Sequence, residues 1–148
     1  MSKLKLVIGS DHAGYSHSEY LYNYLKNKDC DVLMVGATNS YEAYNYPDAA
    51  KKVAKLIQEH QYDYGILLCG TGIGMSIQAN RHIGVRAALC NTKEIAALSR
   101  EHNDANILCL AARFINIDTV TECVEAFLST PFLNNEKYLI RIKKLDDI

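Results

Sequence analysis

The chain has no CxxC pair, no marked excess of charge of either sign and no apolar run long enough to cross a membrane. Each absence removes a class of proteins. Its five cysteines, Cys30, Cys69, Cys90, Cys109 and Cys123, are odd in number and scattered. A secreted disulfide framework or a structural zinc site would pair or cluster them, so they read as thiols of a reducing, cytoplasmic compartment. A net charge of −1 over 148 residues leaves no global basic excess, which argues against nucleic acid as the main partner. The N-terminal "MSKLKLVIGS" has too short an apolar segment for a signal peptide, and no cleavage site follows it. The longest uncharged run, Tyr64 to Asn80, is broken by Gly65, Gly70, Gly72, Gly74, Gln78 and Asn80, so no membrane span is expected. Internal repeats, low-complexity tracts and linkers are also missing. What remains is an ordinary globular composition, 49% hydrophobic and 22% charged, and the expectation of one domain over residues 1–148.

Short apolar runs predict strands at 3–10, 31–36, 62–69, 84–90 and 105–111. Helical spacing appears between and after them. Ala50, Val53, Ala54 and Ile57 share a face in 47–60, and Val120, Cys123, Val124, Phe127 and Leu128 share one in 117–128. Residues 92–101 open with Asn91 and Glu94, which fit a capping box. Leu139, Ile142 and Leu145 form a stripe in 135–147. Strands alternating with helices predict an α/β fold, a mainly parallel five-stranded sheet with helices on both faces and a docked C-terminal helix.

Ligands of open α/β sheets bind beyond the carboxyl ends of the strands. Two loops there carry chemistry, "GSDHAG" after the first strand and "CGTGIG" after the third. The second is not a nucleotide loop. It lacks the lysine of a Walker A motif, and Met75 stands where a dinucleotide fingerprint needs its last glycine. What the loop offers is a run of backbone N–H groups from Gly70 to Gly74 at the start of a helix, suited to a phosphate, a carboxylate or an enolate. The same field favours the thiolate of Cys69; the alternative is that the cysteine is buried and the glycines only make a turn. In the first loop, Asp11 can hold sugar hydroxyls or merely cap the next helix, and His12 can donate to a phosphate or move a proton. "SREHNDAN" adds His102 and Asn103, and Arg113 follows the fifth strand. Lys137, Arg141 and Lys144 share a helix face, as a solvated surface or a phosphate clamp.

Taken in order, "GSDHAG", "NYPDAA", "CGTGIGMSIQANR", "GVRAALC" and "SREHNDANILCLAAR" resemble the type B ribose-5-phosphate isomerases, with the galactose-6-phosphate isomerase subunits as cousins. The resemblance runs over nearly the whole chain. It implies a flavodoxin-like three-layer α/β sandwich, a homodimer, and interconversion of ribose 5-phosphate and ribulose 5-phosphate in the pentose phosphate pathway, without metal or organic cofactor. It makes Cys69 the general base and His102 the acid for ring opening. Asp11, His12, Gly70, Thr71, Gly72, Ile73, Gly74, Asn103, Arg113 and Arg141 become substrate contacts.

The chemistry agrees with these residue types. Isomerisation moves a proton between C2 and C1 through a cis-enediolate, which calls for a base and fixed donors; losing one donor typically costs ~3 kcal/mol of transition-state stabilisation. Thr71 can hold the thiolate or relay a proton. Cys69 ends a strand, whereas His102 ends a helix that returns to the opposite edge of the sheet. One subunit therefore cannot bring them together, and a two-fold partner is expected to supply His102 and Asn103. The resemblance leaves open whether such dimers pair into tetramers.

The C-terminus departs from the family's usual G-G-R-H-Q-x-R. Here it reads "NNEKYLIR", with Lys137 at the first arginine position, Tyr138 at the histidine and Arg141 at the last arginine. Lysine keeps the charge and loses the bidentate fork. The tail is also similar to that of one galactose-6-phosphate isomerase subunit, so a six-carbon aldose phosphate stands as the alternative substrate. A non-catalytic sugar-phosphate sensor is disfavoured, because binding alone does not require a thiol base.

Overall fold

The computed structural model describes residues 3–148, so Met1 and Ser2 of the N-terminal reading lie outside it. Five strands and six helices follow in the order β1 (Lys5–Ser10), α1 (Tyr15–Lys26), β2 (Asp31–Gly36), α2 (Tyr46–Gln58), β3 (Tyr64–Cys69), α3 (Ile73–Ala79), β4 (Ala87–Leu89), α4 (Lys93–Asn103), β5 (Ile107–Ala111), α5 (Ile117–Ser129) and α6 (Glu136–Leu145). All strand pairs are parallel, in the order β2-β1-β3-β5-β4. The β2-β1-β3 half matches the flavodoxin-like order, and the last two strands exchange places.

Alternation along the buried strands divides the core into two layers. Leu6, Ile8, Ile66, Leu68, Leu108 and Leu110 face α1, α4 and α5, against Leu21, Leu25, Ala96, Val120, Val124 and Phe127. Val7, Leu67, Cys69, Ile107 and Cys109 face α2 and α3, against Ala49, Val53, Ile57, Met75 and Ala79. Among the described residues no helix is long and apolar enough to cross a membrane.

β2 spans the predicted 31–36, and the other four strands are shorter than their apolar runs, because a ladder begins only where a partner strand lies alongside. The run at 84–90 shrinks most. Gly84 has φ +83°, and the Arg86 N–H is held by the Asn106 side chain, which leaves three residues for the edge strand. The capping box at Asn91 and Glu94 is corrected: Thr92 is the N-cap, and its hydroxyl accepts from the Ile95 N–H. The apolar stripe of the last helix is corrected as well. Leu145 is 57% exposed, and the residue that α6 buries is Tyr138, at 9%.

Candidate active site

β1 and β3 lie side by side with Ser10 opposite Leu68, so the loops that follow them open at the same edge of the sheet. The Asp11 N–H is tied to the Leu68 carbonyl at 3.3 Å. The Asp11 carboxylate accepts from the Gly14 N–H at 3.0 Å, bracing the turn into α1, and it also lines the cavity beside Cys69. Asp11 thus braces the turn ahead of α1, whose N-cap is Gly14, and still faces the cavity. His12 is fixed by the third loop at this edge: its Nδ1 accepts from the Tyr44 N–H at 3.1 Å. In the neutral ring that leaves Nε2–H as a donor.

Cys69 is the last residue of β3 and is 5% exposed. It lines a cavity of about 420 Å³ together with Asp11, Gly70, Thr71, Ile73 and Gly74. The loop after it is shaped by close contacts. Gly72, the N-cap of α3, has φ +74°, and a Cβ there would fall 2.5 Å from Leu89 Cδ1 and 3.0 Å from the Leu110 carbonyl carbon. Only glycine meets both conditions. Gly72 thus holds the loop against the sheet rather than lining the cavity. The Ile73 N–H is taken by the Thr71 hydroxyl at 3.2 Å. The N–H groups of Thr71, Gly72 and Gly74 have no acceptor among the described residues, which leaves them for an anion.

Arg113 arrives from the end of β5. Its N–H donates to the Gly70 carbonyl at 3.0 Å, and its side chain packs over Gly70, with Nη1 3.5 Å from where a Cβ would stand. One cation therefore sits at the mouth of a site otherwise built from amides, a carboxylate and a thiol.

The other cysteines show no such setting. Burial pushes the thiols of Cys90 and Cys123 up to about 11 and raises those of Cys109 and Cys30. Raised in this way, they stay neutral and unreactive near pH 7.

His102 and Asn103 are not brought to Cys69 within the chain. Cys69 pairs with Ala111 at the far end of β5, whereas α4 ends at Asn103, just ahead of the first β5 residue, Ile107. A five-residue strand, roughly 15 Å, lies between them. His102 stacks on Tyr138, ring centroids 4.7 Å apart. Asn103 lines a second cavity with Arg86, Leu145 and Asp146. Lys137 and Arg141 lie exposed on α6, and the Lys137 ammonium is 4.9 Å from the centre of the Tyr138 ring that stacks on His102.

Two lining residues escaped the sequence reading, Tyr46 and Ile77. The Tyr46 ring packs directly on Gly74, so that a side chain at Gly74 would strike it. The signal for Tyr46 was its position: it opens α2 just ahead of Pro47, in the loop that leaves β2 at the same carboxyl edge. Ile77 carries no such signal; it comes into view only when α3 folds back over the loop.

Comparisons with known proteins agree with this architecture. The Ribose/Galactose Isomerase family model matches residues 6–145. A Rickettsia conorii protein, provisionally named a sugar phosphate isomerase, is 42% identical over 98% of this chain and 99% of its own length. Ribose-5-phosphate isomerase B of Escherichia coli is 35% identical over 86% of this chain and 85% of its own. The crystal structure of a ribose 5-phosphate isomerase from Thermotoga maritima superposes with a TM-score of 0.96 at 46% identity, covering 99% of this chain and all of that one.

Proposed function

The chain belongs to the Ribose/Galactose Isomerase family, and from that premise we propose that it interconverts ribose 5-phosphate and ribulose 5-phosphate with Cys69 as the base. We read residues 1–148 as a single isomerase domain. The observation that carries the proposal is the convergence of Asp11, Cys69 and Thr71 with unpaired loop amides on one cavity, with the Arg113 guanidinium at its mouth.

In the open-chain aldose, the Cys69 thiolate takes the proton from C2. The C2–H electron pair becomes the C1=C2 double bond of a cis-enediolate, and negative charge moves to O1. The free N–H groups of Thr71 and Gly74, whose residues line the cavity, take up that charge. Preorganised donors of this kind are the largest single term in many such reactions. The thiol then returns its proton to C1 as the C1=C2 pair shifts, and the O2–H proton passes to O1 through the Thr71 hydroxyl, so that O2 becomes the ketone, O1 ends as a hydroxyl and Cys69 is a thiolate again. Asp11 orients sugar hydroxyls, and His12 donates through Nε2. Because the reaction redistributes hydrogen within the substrate, it needs no external redox carrier, and the proposed steps use only side chains and backbone amides.

A second copy of the chain, related by a two-fold axis, brings His102, Asn103, Lys137 and Arg141 to this cavity. The separation of His102 from Cys69 within one chain supports that reading. His102 gives its proton to the ring oxygen O4 as the C1–O4 bond breaks, and the O1–H proton leaves to water. The basic groups with Arg113 hold the phosphate.

The deciding experiment compares kcat/KM across five- and six-carbon aldose phosphates. Ribose 5-phosphate is expected to lead. A higher value for an aldose 6-phosphate would transfer the site to a six-carbon substrate, and tight binding without turnover of any would leave a sensor.

A further inference from the structure

The α4 terminus that carries His102 is anchored with care, and the anchors stop short of the imidazole. The buried Arg100 guanidinium donates to the Thr130 carbonyl, to the Ala105 carbonyl at 2.6 Å and to the Asp104 carboxylate at 2.8 Å. The Asn103 carbonyl accepts from Arg86 at 2.9 Å. Asp104 closes the helix at φ +47°. The Leu133 N–H reaches the Glu101 carbonyl at 3.2 Å, which ties the segment before α6 to this turn. Among the described residues none of these hydrogen bonds touches either nitrogen of His102. What holds the ring is Tyr138, stacked on it at 4.7 Å between centroids and 19° between planes.

Tyr138 is the residue that α6 buries, and the Lys137 ammonium lies 4.9 Å from the same ring. A stack fixes the plane of an imidazole and leaves both nitrogens free, which an acid that must reach a sugar ring oxygen requires. A hydrogen bond from the protein would fix the ring by consuming one of them.

We infer that Tyr138 is a positioning residue for ring opening: it sets the plane of His102 by stacking and carries Lys137 beside it, so that α4 and α6 present the acid and a phosphate cation as one unit. The inference rests on the proposed isomerase reaction and adds to it a residue that stands where the family usually has histidine.

The test uses a difference between the two substrates. Ribose 5-phosphate is mostly a closed furanose. Ribulose 5-phosphate cannot close one, because its O5 is esterified. The unaltered protein is expected to give velocities proportional to enzyme concentration on both. Tyr138→Leu keeps apolar burial without a ring. On ribose 5-phosphate its kcat is expected to fall about tenfold, and its velocity to bend to a ceiling as enzyme is raised, because spontaneous ring opening becomes limiting. On ribulose 5-phosphate it stays proportional. Tyr138→Phe, which keeps the stack, restores proportionality, and His102→Ala reproduces the ceiling. Should thermal melting show Tyr138→Leu unfolded, Tyr138→Met takes its place. Proportional velocities from the ring-less variant in both directions, or a Tyr138→Phe protein that behaves like Tyr138→Leu, would overturn the inference. A His102→Ala protein without the ceiling would remove the acid role of His102 and the inference with it. No turnover by the unaltered protein would overturn the isomerase reading itself.

Discussion

The two edges of the sheet are built by different means. At the carboxyl edge, backbone does most of the work. The Asp11 amide is tied to Leu68, Arg113 to Gly70 and Ala112 to Cys69, and Gly72 packs against Leu110. At the amino edge, side chains do it: Arg100 reaches three acceptors, Arg86 grips the end of α4, and an aromatic stack holds His102. The first edge makes a rigid cradle around a thiol. The second makes a rigid platform beneath an imidazole, which in the proposed reaction serves a second copy of the chain. A proton abstraction needs fixed dipoles around developing charge, which backbone supplies most cheaply. An acid delivered to a second molecule needs reach, which only a side chain on a firm base has.

The comparison can be broken in four ways, from the largest effect to the smallest. Cys69→Ala should lower kcat/KM by about 10³-fold, with melting temperature little changed, because the residue loses one sulfur from a cavity wall. Full activity in that variant would remove the base from the carboxyl edge. Next comes mixing. Cys69→Ala subunits combined with His102→Ala subunits should recover roughly a quarter of the activity on ribose 5-phosphate, since half of randomly paired two-fold dimers are mixed and each mixed dimer has one intact site. No recovery would mean that both edges serve a single chain.

Gly72→Ala tests the backbone cradle. A left-handed alanine with its Cβ against Leu89 and Leu110 should cost about 2–4 kcal/mol, a melting shift of roughly 10 °C. Activity should fall with it, because the loop amides move. The smallest effect is expected at the N-cap of α4. Thr92→Ala removes the hydroxyl that accepts from Ile95 and should cost about 1 kcal/mol, with kcat/KM unchanged because His102 lies at the other end of the helix. Asn91→Ala should leave stability as it is, and a larger loss there than at Thr92 would restore the sequence reading of the cap.

Legibility followed the same division. The loops of the carboxyl edge are continuous in sequence, and "GSDHAG" and "CGTGIG" announced themselves by residue type and by their place after strands. The packing of α5 was equally plain, since Val120, Cys123, Val124 and Phe127 repeat at helical spacing and are all buried. The limits of β2 were met, and those of the other four strands were overdrawn chiefly at their starts, because an apolar run opens before the point where a neighbouring strand lies alongside. The face of α6 was misread because tyrosine is amphipathic: the sequence stripe favoured Leu139, Ile142 and Leu145, yet the ring with a stacking partner is the one buried. Tyr46 lay within the quoted "NYPDAA" but was not read as a lining residue, and the Tyr44–His12 bond joins two loops that are far apart in sequence.

By itself the sequence determined the parallel α/β layering, the identity of the thiol loop and the separation of Cys69 from His102, all of which follow from local pattern and the polarity of strands. Tertiary structure alone decided that Arg113 lies over Gly70, that one amide of the loop is consumed by Thr71, and that Tyr138 stacks on His102. The physical reason is range. Periodicity and turn chemistry act within a few residues, whereas these three arrangements depend on which side chains meet once the chain has closed on itself.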